Sequence, residues 1–443
     1  MAWKEPRAIT AFGFTTLATA TIGLSFGLIS RGGQIHLSLR RSIILLLVFW
    51  LFMPVLGALP ILGLDMHTGW IRAYSDAMSQ LTTTGAKIAG DQTWPRSIEM
   101  WHAGLQWIGG YANIVLALLV LAPLNMTAPG VHRSAFLTIE KGNVAGRVGL
   151  IARAILLIYF GASVIIWVAM LATGTDAFSA ALLMMGSIST GGYWPQTGIE
   201  GARIGLFGSW FALLAMSIGA LGFALHWDVI KGRANYLKDS ETVGMVLLVI
   251  VIAVLFFTLG HGIPSAIQNA VSLLTTTAVP MGADGHSYIP TPVIMAIVLV
   301  GGAAVSTAGG VKIIRFLILF RQTGADLAKL AHPSSTKPVQ FRHITINQHE
   351  LVGLWAYVLG YAGIISVLVI VLGVGGTEFG EAANIAIATV SNAGPAYTPD
   401  GAMAGDFSEL SEPILFVLAM AMALGRIEIL AAIAILSPEF WRN

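Results

Sequence analysis

Four short stretches of this chain end in a turn of hydroxyl-bearing and small residues: Thr83-Thr84-Gly85, Ser189-Thr190-Gly191, Thr276-Thr277-Ala278 and Asn392-Ala393-Gly394, aligned on their last position. The chemistry open to such turns is that of oxygen donors. Backbone carbonyls and hydroxyls replace the hydration shell of a cation, and glycine takes the backbone angles that turn successive carbonyls inward. Catalytic side-chain chemistry has no comparable signature. The chain has no Cys, which removes disulfides, thiolate metal sites and a cysteine nucleophile. It has no G-x-S-x-G, no H-E-x-x-H and no Walker sequence. Its ten His are scattered, with His102, His226 and His261 too separated in sequence to suggest a ligand pair. The expectation is a protein that is not an enzyme.

Each turn closes an apolar segment, within 75–88, 176–195, 264–282 and 379–399, whose apolar part is only about 10–14 residues, too short to cross a bilayer. Between them lie nine stretches long and apolar enough to cross: roughly 8–30, 42–63, 100–124, 149–173, 205–225, 241–260, 291–320, 351–374 and 412–436. With 443 residues, 56% hydrophobic, 10% charged and a mean hydropathy of +0.79, the chain reads as one integral membrane unit. A net charge of +2 with no basic stripe argues against nucleic acid as a partner. The first stretch contains Ala18-Thr19-Ala20, a possible signal-peptide cleavage site. Its unbroken run to Ile29 favours a retained helix.

Lys and Arg accumulate in alternate connections, represented by Arg40, Arg41, Arg147, Lys231, Arg233 and Lys329, and the other set holds only Arg72, Lys87, Arg96 and Arg203. The basic side is expected to be cytoplasmic, with the C-terminus inside. Lys4 and Arg7 run against that assignment.

The four short segments then fall on one external side, each between two spans. Non-helical backbone at membrane depth is tolerated only when buried in protein or lining a watery cavity. Four such turns are therefore expected around one axis, with the partially negative C-terminal ends of their helices favouring a cation there. The fold class expected is an all-α polytopic membrane protein of four helix–pore-loop–helix repeats in pseudo-fourfold arrangement around one ion pore, plus one preceding N-terminal helix. Its parts are the accessory helix 1–39 and pore repeats 40–130, 131–232, 233–330 and 331–443, the third with an intramembrane gating loop at 301–312. Any single Thr/Gly turn also suits helix packing; four at equivalent positions favour the pore.

The stretches LTTTGA (81–86), LQWIGGY (105–111), SISTGGY (187–193), GGAAVSTAGGVKIIR (301–315), SNAGP (391–395) and LGRIEILAAIAILSPEFWR (424–442) resemble the membrane subunit of Trk/Ktr/HKT potassium transporters, nearest the bacterial TrkH type. The likeness runs over nearly the whole chain. It implies potassium uptake across the bacterial inner membrane through a gated pore, with potassium as substrate bound at the twelve turn residues. It also implies a homodimer, and a cytoplasmic TrkA-type regulatory subunit that alone would hold nucleotide (NAD or ATP/ADP); no cofactor is expected on this chain. Gly302, Ser306, Thr307, Ala308, Gly309 and Gly310 match the family's intramembrane gate. Arg426, set within an apolar run, matches an arginine beside that gate. An arginine at that depth is costly unless paired, and Glu428, two positions on, points to another face. Carbonyls or acids elsewhere are expected to partner it; a purely structural arginine bonded to neighbouring loops is the other reading.

Two residues depart from the pattern. Ala278 stands where the family has glycine, and positive φ there would cost on the order of 1–2 kcal/mol. Lys87 lies two residues beyond Gly85, where a positive charge opposes cation entrance unless it points to solvent or pairs with Asp91 or Asp284. A sodium-permeable or poorly selective channel, or a non-conducting regulatory pseudo-subunit, are the alternatives that these departures support.

Overall fold

The structure, a computed structural model, describes residues 6–29, 39–64, 68–88, 94–124, 144–194, 206–282, 284–332, 340–341, 344–346, 348–398 and 404–427. Fifteen α-helices, counted among the described residues, carry the fold. Helices α1 (Pro6–Ile29) and α2 (Leu39–Gly63) precede the short α3 (Trp70–Leu81) and the long α4 (Arg96–Leu124). Then come α5 (Val144–Ala172), the short α6 (Ala177–Ile188), α7 (Leu206–Ala220), α8 (Phe223–Ile230) and α9 (Ser240–Thr258). Helices α10 (Ile263–Leu274), α11 (Thr291–Val300), α12 (Ile313–Ala331), α13 (Gln348–Val374), α14 (Phe379–Val390) and α15 (Glu412–Arg426) complete the order. Among the described residues, extended pairing is confined to a two-residue antiparallel pair, Gln340–Phe341 with Ile344–Thr345, and a parallel bridge between Lys87 and Asp406.

Five helices, α1, α2, α5, α9 and α13, are long and apolar enough to cross a membrane unaided. Their outward faces are apolar as well: Leu157 and Ile165 on α5 and Leu247 and Val251 on α9 are exposed. In water such faces would be unstable, whereas lipid accommodates them. The chain is a multi-pass membrane protein.

The span expected at 205–225 is not continuous. The chain turns through 96° between α7 and α8. Here the last carbonyls of α7 are taken by another part of the chain: Ala303 N donates to Ala220 O (2.9 Å) and Thr307 N to Gly219 O (3.0 Å), and Phe223 N donates back to Val305 O (3.1 Å). Continuing the helix would leave those partners unpaired at depth, which is costly. Of the span expected at 412–436 the described part is helical from Glu412 to Arg426, and Ile427 turns to extended backbone (φ −85°, ψ 129°). The residues after it, Glu428 included, lie outside the described set, as do Arg442, Asp91 and most of the 424–442 motif.

Segment 301–312 between α11 and α12 is non-helical, in keeping with its glycines. Positive φ at Gly301 (72°), Val305 (56°), Gly310 (72°) and Lys312 (80°) folds it back on itself. Its donors are satisfied by protein: Ala304 N reaches Glu241 Oε2 (2.7 Å), and Val311 N and Lys312 N return to Leu299 O and Val300 O. Irregular backbone is tolerated away from water where its polar groups find protein partners, as these do.

Candidate ion-binding turns

Helices α3, α6, α10 and α14 are each twelve residues long. Their starts are built locally. Asp176 accepts from Phe178 N and Ser179 N to cap α6, and Pro264 sits in the first turn of α10, where its missing N–H costs nothing. Each helix ends at Thr82, Ser189, Thr275 or Ser391, and the next residue takes positive φ: Thr83 52°, Thr190 52°, Thr276 60°, Asn392 50°. For three β-branched residues that conformation costs roughly 1–2 kcal/mol apiece. The four copies share it all the same.

This geometry corrects the alignment in the second copy. Counted from the helix end, the equivalent of Thr83-Thr84-Gly85 is Thr190-Gly191-Gly192, not Ser189-Thr190-Gly191. Gly192 takes φ 71°, as Gly85 does, and Ser189 is the helix cap. Ala278 in the third copy also has positive φ, 53°, so the strain expected of an alanine there is present. Gly394 differs. It opens a 3₁₀ turn to Ala396, and a Cβ there would lie 2.7 Å from Ala86 N. It is small because backbone approaches it.

The four turns meet. A Cβ on Gly85 would strike Gly191 O, one on Gly192 would lie 2.5 Å from Thr277 O, and Gly394 N donates to Thr84 O (2.7 Å). Thr83, Thr84, Thr190, Thr276, Asn392 and Ala278 have no exposed surface. Where four helix C-termini converge, their partial negative charges add.

Segment 301–312 and α15 pack against the turns, and the positive-φ side chains do the fastening. Thr190 Oγ1 bonds Thr307 Oγ1 (3.2 Å), and Gly309 N donates to Thr276 Oγ1 (2.7 Å). Asn392 Nδ2 donates to Met422 O on α15 (2.9 Å) and to Thr84 Oγ1 (2.9 Å), and Thr83 Oγ1 accepts from Arg426 Nη2. Backbone adds Gly310 N to Ser391 O (3.2 Å), and Thr307 Oγ1 reaches Ile188 O (3.1 Å).

Arg426 is buried at the end of α15. Its Nε donates to Thr82 O (2.6 Å), and its Nη1 to Thr307 O (2.6 Å) and Ala308 O (3.3 Å). Among the described residues, carbonyls and the Thr83 hydroxyl, not carboxylates, bond this cation, and they join the first turn to segment 301–312. Of the residues singled out in that segment, Ser306 bonds internally to Ala303 O (2.6 Å), and Ala308 O accepts from both Arg426 and Lys312. Gly302 packs where a Cβ would lie 2.8 Å from Ala220 O.

Above the turns, Lys87 is fixed by its backbone: its N donates to Gly405 O (2.7 Å), and Phe407 N donates to its O (2.9 Å). Arg72 ties the same region by donating to Ser408 O (3.0 Å) and Leu410 O (3.1 Å). Asp284 lies beside His261 at 3.9 Å.

Residues that the sequence left without a role stand immediately behind the turns. Asn113 Nδ2 donates to Ser306 O (3.1 Å), Gln106 contacts the second turn, and His102 faces Asp76 at 2.7 Å. Only Gln106, inside LQWIGGY, carried a sequence signal.

A family model for TrkH, described as a cation transport protein, matches residues 287–442. Escherichia coli K12 holds two similar proteins. One, named Trk system potassium uptake protein TrkH, is 28% identical over 99% of this chain and 92% of its own length. The other, Trk system potassium uptake protein TrkG, is 25% identical over 100% and 93%. The crystal structure of the potassium transporter TrkH from Vibrio parahaemolyticus superposes with a TM-score of 0.85 at 25% identity, covering 98% of this chain and 93% of that one. The similarity to these TrkH-type potassium uptake proteins, in sequence and in fold, runs nearly end to end in both partners.

Proposed function

We propose that the chain carries potassium across the bacterial inner membrane along the axis on which the four turns meet. The observation that carries the reading is that meeting itself: four twelve-residue helices end in turns that each open on a positive-φ residue, fastened by a single segment and one arginine. The selectivity filter is assigned to Thr83, Thr84, Gly85, Thr190, Gly191, Gly192, Thr276, Thr277, Ala278, Asn392, Ala393 and Gly394. Their oxygens stand in for water around the ion, and the converging helix ends offset its charge. Gly302, Ser306, Thr307, Ala308, Gly309, Gly310 and Arg426 form the gate.

With Arg426 bonded to Thr82 O and Thr307 O, and Gly394 N bonded to Thr84 O, the path is shut. Opening requires segment 301–312 to exchange its bonds to the turns for others, and Arg426 to leave the axis. A centred positive charge raises the barrier to a second cation until it does. Flow inward follows the membrane potential, worth about 2.3 kcal/mol per charge per 100 mV. The basic connections face the cytoplasm, two copies pair, and a TrkA-type nucleotide-binding subunit controls the gate from that side.

The names of the similar proteins support potassium as the cargo. The strained Ala278 supports a second reading, a filter that also passes sodium. Growth of a potassium-uptake-deficient bacterium at low external potassium tests the first. Rescue is expected; well-expressed protein without rescue would overturn it, and rescue accompanied by sodium sensitivity would favour the second.

A further inference from the structure

Behind the second turn lies a buried polar chain that the transport reading has not used. Asp76 and Gln80 are four residues apart on α3, and His102 and Gln106 are four apart on α4, so each helix presents one polar pair on one face. The two pairs face each other. His102 Nε2 lies 2.7 Å from Asp76 Oδ2, close but poorly aligned for a hydrogen bond. Gln80 Nε2 reaches Asp76 Oδ1 at 3.5 Å, and Gln106 Nε2 donates to Gln80 Oε1 at 2.9 Å. All four side chains are buried.

The chain ends on the second turn. Gln106 Nε2 also donates to Gly191 O (2.9 Å), and Gln106 Oε1 accepts from Tyr193 N (3.1 Å). Both N–H donors of this amide and its carbonyl oxygen are engaged, and no ionised carboxylate of the same shape can donate in their place. The fit is close: a Cβ on Gly191 would overlap the Gln106 carboxamide. Because a trans peptide points its N–H and C=O in opposite directions, holding Tyr193 N–H toward α4 aims the Gly192 carbonyl away from α4. The third and fourth turns pack against Gly192, where a Cβ would sit 2.5 Å from Thr277 O and 2.9 Å from Pro395. Among the described residues no glutamine side chain bonds a carbonyl of turns one, three or four; Thr84 O is taken by Gly394 N.

We propose that Gln106 is a specificity-determining positioning residue of the ion path, fixing the direction of the second turn's carbonyls, and that Asp76 and His102 orient it through Gln80. The inference rests on the four turns being that path. Burying polar side chains is costly unless they are paired, and the bonds that Gln80 and Gln106 make, with His102 in close contact with Asp76 behind them, set one defined strand geometry against that cost.

The test uses the full chain, purified and reconstituted in liposomes, with potassium and sodium fluxes measured separately. Gln106→Glu replaces both donors with acceptors, and the potassium-to-sodium ratio is expected to change by about tenfold. Gln80→Met, one step further back, is expected to move the ratio in the same direction by about threefold. A merely structural role would lower total flux or yield and leave the ratio alone. Unchanged ratios in both variants therefore overturn the inference while leaving transport intact. If Gln106→Glu is not monodisperse on size exclusion, Gln80→Met and His102→Asn decide in the same way. Absence of ion flux from the unmodified chain would overturn the transport reading, and this inference with it.

Discussion

The underside of the four turns is uniform, and the level just above it is not. Below, the four positive-φ residues, Thr83, Thr190, Thr276 and Asn392, all spend their side chains on segment 301–312 or α15. One step up, each copy is held differently. Thr84 O accepts from a neighbouring turn, Gly191 O accepts from Gln106, Ala278 stands where Gly85 and Gly192 have glycine, and Gly394 enters a 3₁₀ turn. Even there a twofold pattern survives: Ser79 Oγ bonds Ala86 O and Ser272 Oγ bonds Val279 O, seven residues on in both, with paired threonine hydroxyls beside them. Uniform strain held by uniform contacts is what a two-state closure needs. On the proposed function, the uneven upper ring is where one ion would come to be favoured over another.

Breaking the lower level should therefore cost most. Asn392 Nδ2 serves both Met422 O and Thr84 Oγ1, and asparagine tolerates its φ of 50° better than a branched or apolar residue does. Asn392→Leu removes both bonds and adds backbone strain, for an expected loss of about 3–5 kcal/mol. Thermal unfolding of the detergent-solubilised protein measures it. A midpoint within a degree or two of the unmodified protein would mean that the underside is not held as described.

How much of this was legible beforehand follows the same division. Length and apolarity announced α2, α5, α9 and α13, and the short helices stood out because twelve residues cannot span. The second turn was misregistered because Gly191 and Gly192 are adjacent, and composition does not tell which glycine takes positive φ and which yields space to a side chain. The bend at Leu221-Gly222 was hidden in an apolar run, since its cause is backbone pairing with Ala303, Val305 and Thr307, more than eighty residues away. For the same reason His102 read as isolated. Its partner Asp76 lies on another helix, and spacing along the chain reports only neighbours on one face.

A milder break separates the two levels. Ser79→Ala and Ser272→Ala each remove one hydroxyl-to-carbonyl bond above the strained residue, and each should cost about 1 kcal/mol. Equal losses in the two variants, by the same unfolding measurement, would establish that the first and third copies are equivalent in energy as well as in geometry. A cost confined to Ser79→Ala would break the equivalence and point to Ala278 as having already loosened the third copy.

Ala278→Gly should be the smallest change of all in stability and the most informative about the ion. Positive φ of 53° costs alanine on the order of 1–2 kcal/mol, but glycine gives back roughly 0.5–1 kcal/mol through the greater freedom of its unfolded chain. The net gain should be about 0.5–1 kcal/mol. Alanine already reaches the left-handed region here, and its N–H already bonds Ser272 O at 2.8 Å, so glycine has no new backbone bond to make. What changes is tolerance: glycine adopts neighbouring backbone angles at little cost, and the carbonyls of the third copy can then adjust to an ion as those beside Gly85 and Gly192 can. The potassium-to-sodium flux ratio in liposomes should rise. An unchanged ratio would show that the third turn is as well formed with alanine, and would move the origin of selectivity to the second turn and its contact with Gln106.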